Sequence, residues 1–342
     1  MPDVIKSKKI NLFFNSFTDL NYLSPLLLIG KEYHKHIHLI FYFEDLKRPE
    51  TKIFFQKRKD EILNFPFISE FRPFVAESKN ELKKYLKSKK GAFVTTSPTF
   101  FQLKRNNLLK RKIFVKDLAY IIINYFGEGV RESFKNIDLL YLNSPIESQS
   151  LSPHKIRYGN PYWDLFVHQE LNLSQYDDLK FDPGKKNILI PEIMQEGEKW
   201  FDNCFNYIQT NYSDEKHFWI KYRLKLPDRL VRNQKLEEKL SHYDNITYIY
   251  SPYFFTTINL LENCDDVVFT SNGSLIIMDC MASKANIIRD YGTPLQLFEI
   301  NDYNTACDNY AEKGSEETCK LIYRMGDNSL TLISEVLNVL GI

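Results

Sequence analysis

The run Asp265-Asp266-Val267-Val268-Phe269-Thr270 passes into Ser271-Asn272-Gly273-Ser274 and then into Leu275-Ile276-Ile277-Met278-Asp279-Cys280-Met281-Ala282. A strand, a tight polar turn and a helix are predicted. Small residues at such a turn offer unpaired backbone N–H groups, and the helix dipole adds positive charge at the same place. The turn therefore suits a phosphate. Asp279 follows one to two helical turns later, within reach of a ribose hydroxyl. Serine and asparagine also cap helices with nothing bound, so Ser271, Asn272, Gly273 and Ser274 carry both readings. A solvated helix face would equally accept Asp279.

An anion such as a phosphate also calls for cations. Lys221, Arg223 and Lys225 alternate along a strand predicted at His217–Leu224, which places them on one face. Arg223 can grip a phosphate through two parallel bonds. An edge strand guarded by charge gives the same pattern, and Arg229 is a weaker alternative. A carboxylate held close to a hydroxyl can accept its proton as it leaves. Asp19 stands in the polar loop predicted after the first strand, where it also fits a helix N-cap. Asp117, Glu128 between Gly127 and Gly129, and the pair Glu44 and Asp45 are its rivals. Rings in Tyr250-Ser251-Pro252-Tyr253-Phe254-Phe255 could stack on a base, but most of the 21 tyrosines and 26 phenylalanines must fill cores.

The elements that would hold these groups alternate. Strands are predicted at Ile10–Asn15, His38–Phe43, Ala92–Thr96, Lys112–Val115 and Asp138–Leu142, with helices at Leu23–Tyr33 and Glu81–Lys89. Pro145, Pro153, Pro161 and Pro183 then punctuate a connecting segment. A second series has strands at Asn187–Ile190, His217–Leu224, Ile246–Tyr250, Val267–Thr270 and Asn286–Ile288. Its helices fall near Trp200–Asn211, Gln234–His242, Thr256–Asn263 and Ser274–Met281, with a last one at Ser329–Leu340. This is an α/β chain with two Rossmann-like domains, expected to face each other across a cleft. The predicted domains are 1–165 and 187–342, joined by a linker at 166–186. The last helix is free to return to the first domain.

Composition narrows the function. The 342 residues carry a net charge of +1, so no global field calls for nucleic acid. Basic residues cluster at Lys6–Lys9, Lys83–Lys90 and Lys104–Lys112. Lys104-Arg105 and Lys110-Arg111-Lys112 could meet acidic headgroups or a polyanionic acceptor, or form a solvated surface. No apolar run approaches the roughly 20 residues that span a bilayer, and the first residues lack a secretion signal pattern. Five cysteines without CxxC spacing read as reduced thiols in a cytoplasmic protein, with no zinc finger. His34, His36 and His38 sit at strand spacing on one predicted face, as a His-rich surface or a metal site.

The layout resembles the GT-B glycosyltransferase architecture. Gly159-Asn160-Pro161-Tyr162-Trp163-Asp164 is similar to the G-N-P-x-x-D stretch closing the first domain in several GT-B families. Asp265 to Ile288 is similar to the second-domain unit whose serine-rich turn holds the donor phosphates and whose acidic residue holds the ribose. Within GT-B the chain most resembles the CDP-glycerol glycerophosphotransferase-like group and the Kdo- and sialyl-type surface-polymer transferases. It departs from that group at four places. Lys116-Asp117-Leu118 stands for His-Gly, and Lys225-Leu226-Pro227 for His-Pro. Ser271-Asn272 replaces an acidic residue, and Ser283-Lys284-Ala285-Asn286 a Gly-Lys-Pro. The resemblance implies transfer from a CMP-, CDP- or UDP-linked donor, held by the nucleotide-donor domain at 187–342, to a bacterial glycan or lipid-linked acceptor, held by the acceptor domain at 1–165, at the inner face of the membrane. The fold requires no metal or cofactor beyond the donor, and the presence of a candidate base favours direct displacement with inversion. UDP-GlcNAc 2-epimerases share the fold, which keeps a sugar-nucleotide isomerase open, as well as a non-catalytic subunit of a glycan assembly complex.

Overall fold

A computed structural model describes residues 8–14, 17–43, 59–96, 118–123, 138–142, 156–176, 179–193, 198–222, 227–250, 255–270, 276–289 and 326–342. The chain forms two compact units: Met1–His168 with Tyr323–Ile342, and Gln169–Ile322.

Unit 1 is built on seven strands: β1 (Lys9–Phe14), β2 (Ile37–Tyr42), β3 (Phe74–Ala76), β4 (Gly91–Thr96), β5 (Leu118–Ile123), β6 (Leu139–Leu142) and β7 (Ile156–Tyr158). Their order is β3-β2-β1-β4-β5-β6-β7, and every pairing is parallel. Beyond Lys9 the side chains of β1 are all buried, as are all six of β4. A parallel sheet covered on both faces demands such continuous runs rather than alternation. The covering helices are α1 (Phe17–Leu28), α2 (Lys59–Asn64), α3 (Pro66–Ser69), α4 (Lys79–Lys87) and α5 (Pro161–Asp164).

Unit 2 holds β8 (Lys186–Pro191), β9 (Lys216–Lys221), β10 (Ile246–Ile249), β11 (Asp266–Phe269) and β12 (Asn286–Arg289) in the all-parallel order β10-β9-β8-β11-β12. Its helices are α6 (Glu198–Asn211), α7 (Pro227–Leu240), α8 (Thr256–Asn263) and α9 (Ile276–Ala282).

The last helix, α10 (Asn328–Leu340), packs in unit 1 against α1 and α5. Its inner stripe of Leu332, Ile333, Val336 and Leu340 is buried, the spacing of one helix face. The G-N-P-x-x-D stretch is what receives it. Asp164 is fully buried and accepts from the backbone N–H groups of Gly326 (2.8 Å), Asn328 (3.2 Å) and Ser329 (2.6 Å), and from Asn328 Nδ2 (3.1 Å). These are the donors that the start of a helix leaves unpaired, so the carboxylate caps α10 from a distant part of the chain. Asn160 caps α5 itself by accepting from Tyr162 N at 3.0 Å. Gly159 has φ +134°, and a Cβ there would stand 2.1 Å from Asn328 Oδ1, so both its conformation and its contact exclude a side chain.

Several expectations need correction. Asp19 lies in the first turn of α1, not in a loop before it, because the buried series Leu20, Leu23, Leu26, Leu27 carries the helical period back past Leu23. The three histidines do not share a strand face. His34 and His36 belong to a 3₁₀ turn at Lys31–His36, and only His38 lies in β2. His34 donates to the Leu27 carbonyl at 2.8 Å, and His38 bonds the Tyr85 hydroxyl. Strands β3, β5 and β7 form where no strand was expected. The strand expected at Lys112–Val115 lies outside the described residues.

Candidate functional site

In an open parallel sheet, a crevice forms at the carboxyl ends of two adjacent strands whose connections leave in opposite directions. Each unit has one such point: between β1 and β4 in unit 1, and between β8 and β11 in unit 2.

In unit 2, β8 ends at Pro191, and Glu192 and Ile193 follow, 6% and 2% exposed. β11 ends at Phe269, followed by Thr270, which has no exposure. Helix α6 closes over both ends. Trp200 Nε1 donates to the Pro191 carbonyl at 3.1 Å, and Asn203 Nδ2 donates to the Thr270 carbonyl at 2.7 Å. Residues three apart share one helix face, so a single face of α6 clamps the two strand ends. Glu192, Asn203 and Thr270 thus bring a carboxylate, an amide and a hydroxyl to the reversal point, all largely withdrawn from water. Burial of that kind is costly unless the groups are bonded, as the Asn203 amide is to the Thr270 carbonyl. Sequence reading passed over Glu192, Trp200 and Asn203. The signal was Pro191-Glu192 directly after the first apolar strand of the series, the position that precedes the first crossover helix.

The phosphate-type turn, Ser271, Asn272, Gly273 and Ser274, continues directly from Thr270 in sequence but lies outside the described residues, as do Arg223 and Lys225. Asp279 is half-buried in the first turn of α9. Strand β9 ends at Lys221, one residue before the fully packed Tyr222, so the expected run to Leu224 is shortened. The Tyr222 ring lies 5.2 Å from that of Tyr250 and 6.3 Å from that of Trp200. Burial, helped by Glu237 and Cys204, drives its phenol well above the ordinary range and keeps it neutral. Phe255 is core, at 1% exposure. Asp265 and Asp266, at the opposite end of β11, are structural. Asp265 Oδ2 accepts from Asn187 N at 2.8 Å, and Asp266 pairs with Lys186 at 2.6 Å.

In unit 1 the reversal point is held by Asp19. This side chain has no exposure, and its Oδ1 accepts from Thr96 N (3.2 Å) and Thr96 Oγ1 (2.7 Å) at the end of β4. Asp19 therefore joins the first turn of α1 to the neighbouring strand end across the switch point. Asp117, Glu128, Glu44 and Asp45 lie outside the described residues.

No protein-family model matches the chain, and no curated protein does. Solved structures do match over nearly its whole length. A UDP-GlcNAc 2-epimerase from Neisseria meningitidis bound to UDP-GlcNAc is 14% identical, covers 96% of this chain and 100% of its own, and superposes with a TM-score of 0.58. S. aureus MnaA, in a co-structure with UDP, is 13% identical over 98% of this chain and 97% of its own, with a TM-score of 0.59. Anabaena HepE in complex with UDP-glucose is 10% identical over 98% and 100%, at 0.51. At these identities the likeness speaks to fold. The chain has the GT-B layout of two parallel-sheet Rossmann-like units in series.

Proposed function

We propose that this protein is a nucleotide-sugar-dependent enzyme that holds its nucleotide at the β8/β11 carboxyl edge of unit 2. The observation that carries the reading is the clamp of α6 over two strand ends lined by Glu192, Asn203 and Thr270. It is supported by the likeness to folds solved with UDP, UDP-GlcNAc and UDP-glucose. In this reading Ser271, Asn272, Gly273 and Ser274 receive the phosphates and Asp279 the ribose. Arg223 and Lys225 balance charge on the departing nucleotide, so neither metal nor further cofactor is needed. The reaction is transfer of a glycosyl or polyol-phosphate group to a surface-glycan or lipid-linked acceptor, by direct displacement with inversion. Asp117 or Glu128 takes the acceptor proton, and Asp19 acts through Thr96 by fixing the strand end.

A second reading, isomerisation of a UDP-sugar, is favoured by one observation: the Neisseria UDP-GlcNAc 2-epimerase superposes with a TM-score of 0.58, against 0.51 for HepE. Two measurements decide. Thermal shift with CMP, CDP, UDP, GDP and their sugars should single out one nucleotide. At a hundredfold excess over Kd, binding adds about 2.7 kcal/mol. Asn203→Ala, Ser274→Ala and Asp279→Ala should each shrink that shift. Incubation with UDP-GlcNAc and no acceptor then separates the readings, since an epimer product means isomerase. A melting temperature that no nucleotide moves would sink both.

A further inference from the structure

Two basic clusters far apart in sequence meet at one edge of unit 1. Lys8 precedes β1 and Lys9 opens it, in register with Gly91 at the start of β4. Lys89 and Lys90 precede that strand, and Lys9 N donates to the Lys90 carbonyl at 3.3 Å. A third segment joins them: Lys35 and His36 close the turn that feeds β2, and the Lys9 ammonium donates to the Lys35 carbonyl. Lys87 is in the last turn of α4, which runs back to the same place. Because β1, β2 and β4 are parallel neighbours, all of these residues stand at their amino ends. That is the edge opposite the Asp19–Thr96 contact.

Among the described residues, the acids at this edge of the sheet are Glu32, Glu70 and Asp138, and Arg72 stands near Glu70. The cations outnumber them in a chain whose net charge is only +1, so charge here is segregated rather than general. The Lys89 ammonium lies 4.0 Å from the centre of the Tyr85 ring, whose hydroxyl His38 bonds, and burial, reinforced by Lys89 and Lys9, holds the His38 imidazole down to about 4. The edge also carries apolar surface. Lys8 Nζ donates to the Leu340 carbonyl at 2.6 Å, which brings in the last turn of α10. There Val339 is 42% and Ile342 51% exposed.

We propose that this amino edge of the unit 1 sheet docks on an anionic phospholipid bilayer, with its lysines over the headgroups and Val339 at the hydrocarbon boundary. A soluble polyanion would engage the lysines alone. A bilayer also rewards burial of adjoining apolar side chains, and the pairing of the two signals is what makes peripheral binding stable. The proposal does not rest on the nucleotide reading, since unit 1 alone carries the surface.

The test is sedimentation of the full chain with vesicles of phosphatidylcholine alone and of phosphatidylcholine mixed with phosphatidylglycerol. The protein should pellet with the mixed vesicles, stay in solution with the neutral ones, and be released by added salt. Lys35→Gln and Lys90→Gln should each lower partitioning roughly fivefold, and Val339→Ser should lower it further, all three with unchanged melting temperatures. The proposal is overturned by equal binding to both vesicle types, by no binding to either, or by indifference to the lysine variants. Lysine-dependent binding of polyphosphate without vesicle binding would overturn it in favour of a soluble polyanion.

Discussion

Replacing Asp164 by alanine tests the physical role assigned to the G-N-P-x-x-D stretch. The carboxylate is completely buried and accepts four hydrogen bonds, three of them from backbone N–H groups at the start of α10. Each donor left dry and unpaired costs about 1–3 kcal/mol. Part of that is returned. Burial already pushes the Asp164 carboxyl above its ordinary value, against the pull of Ser329, Gly326 and Asn328, so the charge itself is held at a cost. The net loss expected for Asp164→Ala is about 3–4 kcal/mol, and in a unit of this size about 6–15 °C of melting temperature. Asp164→Asn keeps one acceptor oxygen but turns an amide toward Ser329 N, and should lose about half as much. Urea melts give the totals, and hydrogen exchange gives the location: Asn328–Leu340 should lose protection before the sheet does. The pH dependence has a definite sign. A carboxyl raised in the folded state binds its proton more readily there than in the unfolded chain. Its contribution is therefore full at low pH and fades as pH rises through the folded value. The wild type should show that trend relative to Asp164→Asn. A loss below about 1 kcal/mol in Asp164→Ala, or unchanged protection of α10, would refute the capping argument.

Gly91 has φ +112°, and a Cβ there would lie 2.0 Å from the Lys9 carbonyl oxygen. Gly91→Ala should cost more than about 3 kcal/mol in a denaturant melt. Cys204, Cys264 and Cys280 are buried, and burial drives the thiols of the first two far up. Since the thiolate is the reactive form, peptide mapping should find all three unlabelled by iodoacetamide until denaturant is added. The His38 imidazole is held down to about 4 by burial, Lys89 and Lys9. The unfolded chain then binds the proton first, so stability should fall as pH drops from about 6.5 toward 4. His38→Phe should flatten that slope in melts run across the range.

Periodicity in the sequence carried the fold a long way where runs were long and apolar. Thr256–Asn263 and Asn328–Leu340 form helices at or within a residue of their expected bounds. Short strands were not legible. Phe74–Ala76 and Ile156–Tyr158 have three residues each, too few to establish a period of two, and their partners in the sheet create them. Helix α1 was displaced because Asp19 and Asn21 look like loop residues, yet Asp19 is polar for the sake of Thr96. The site divides along the same line. Thr270 and the turn after it stand out as a local pattern. Asn203 does not, because its role is a bond to a carbonyl 67 residues away. The G-N-P-x-x-D stretch was visible as a motif, but its purpose depended on a helix more than 160 residues later.

The late arrival of α10 has a consequence for biosynthesis. Asp164 and Ser329 are separated by 165 positions, and Lys8 and Leu340 by 332. At about 5–20 residues per second, the ribosome needs roughly 10–30 s to move from one capping partner to the other. Throughout that interval the nascent first unit presents an empty apolar berth where Leu332, Ile333 and Val336 will later sit. A chaperone that shields such grooves should therefore cross-link to ribosome-bound chains stalled short of Asn328, and let go once the segment to Leu340 is free to pack.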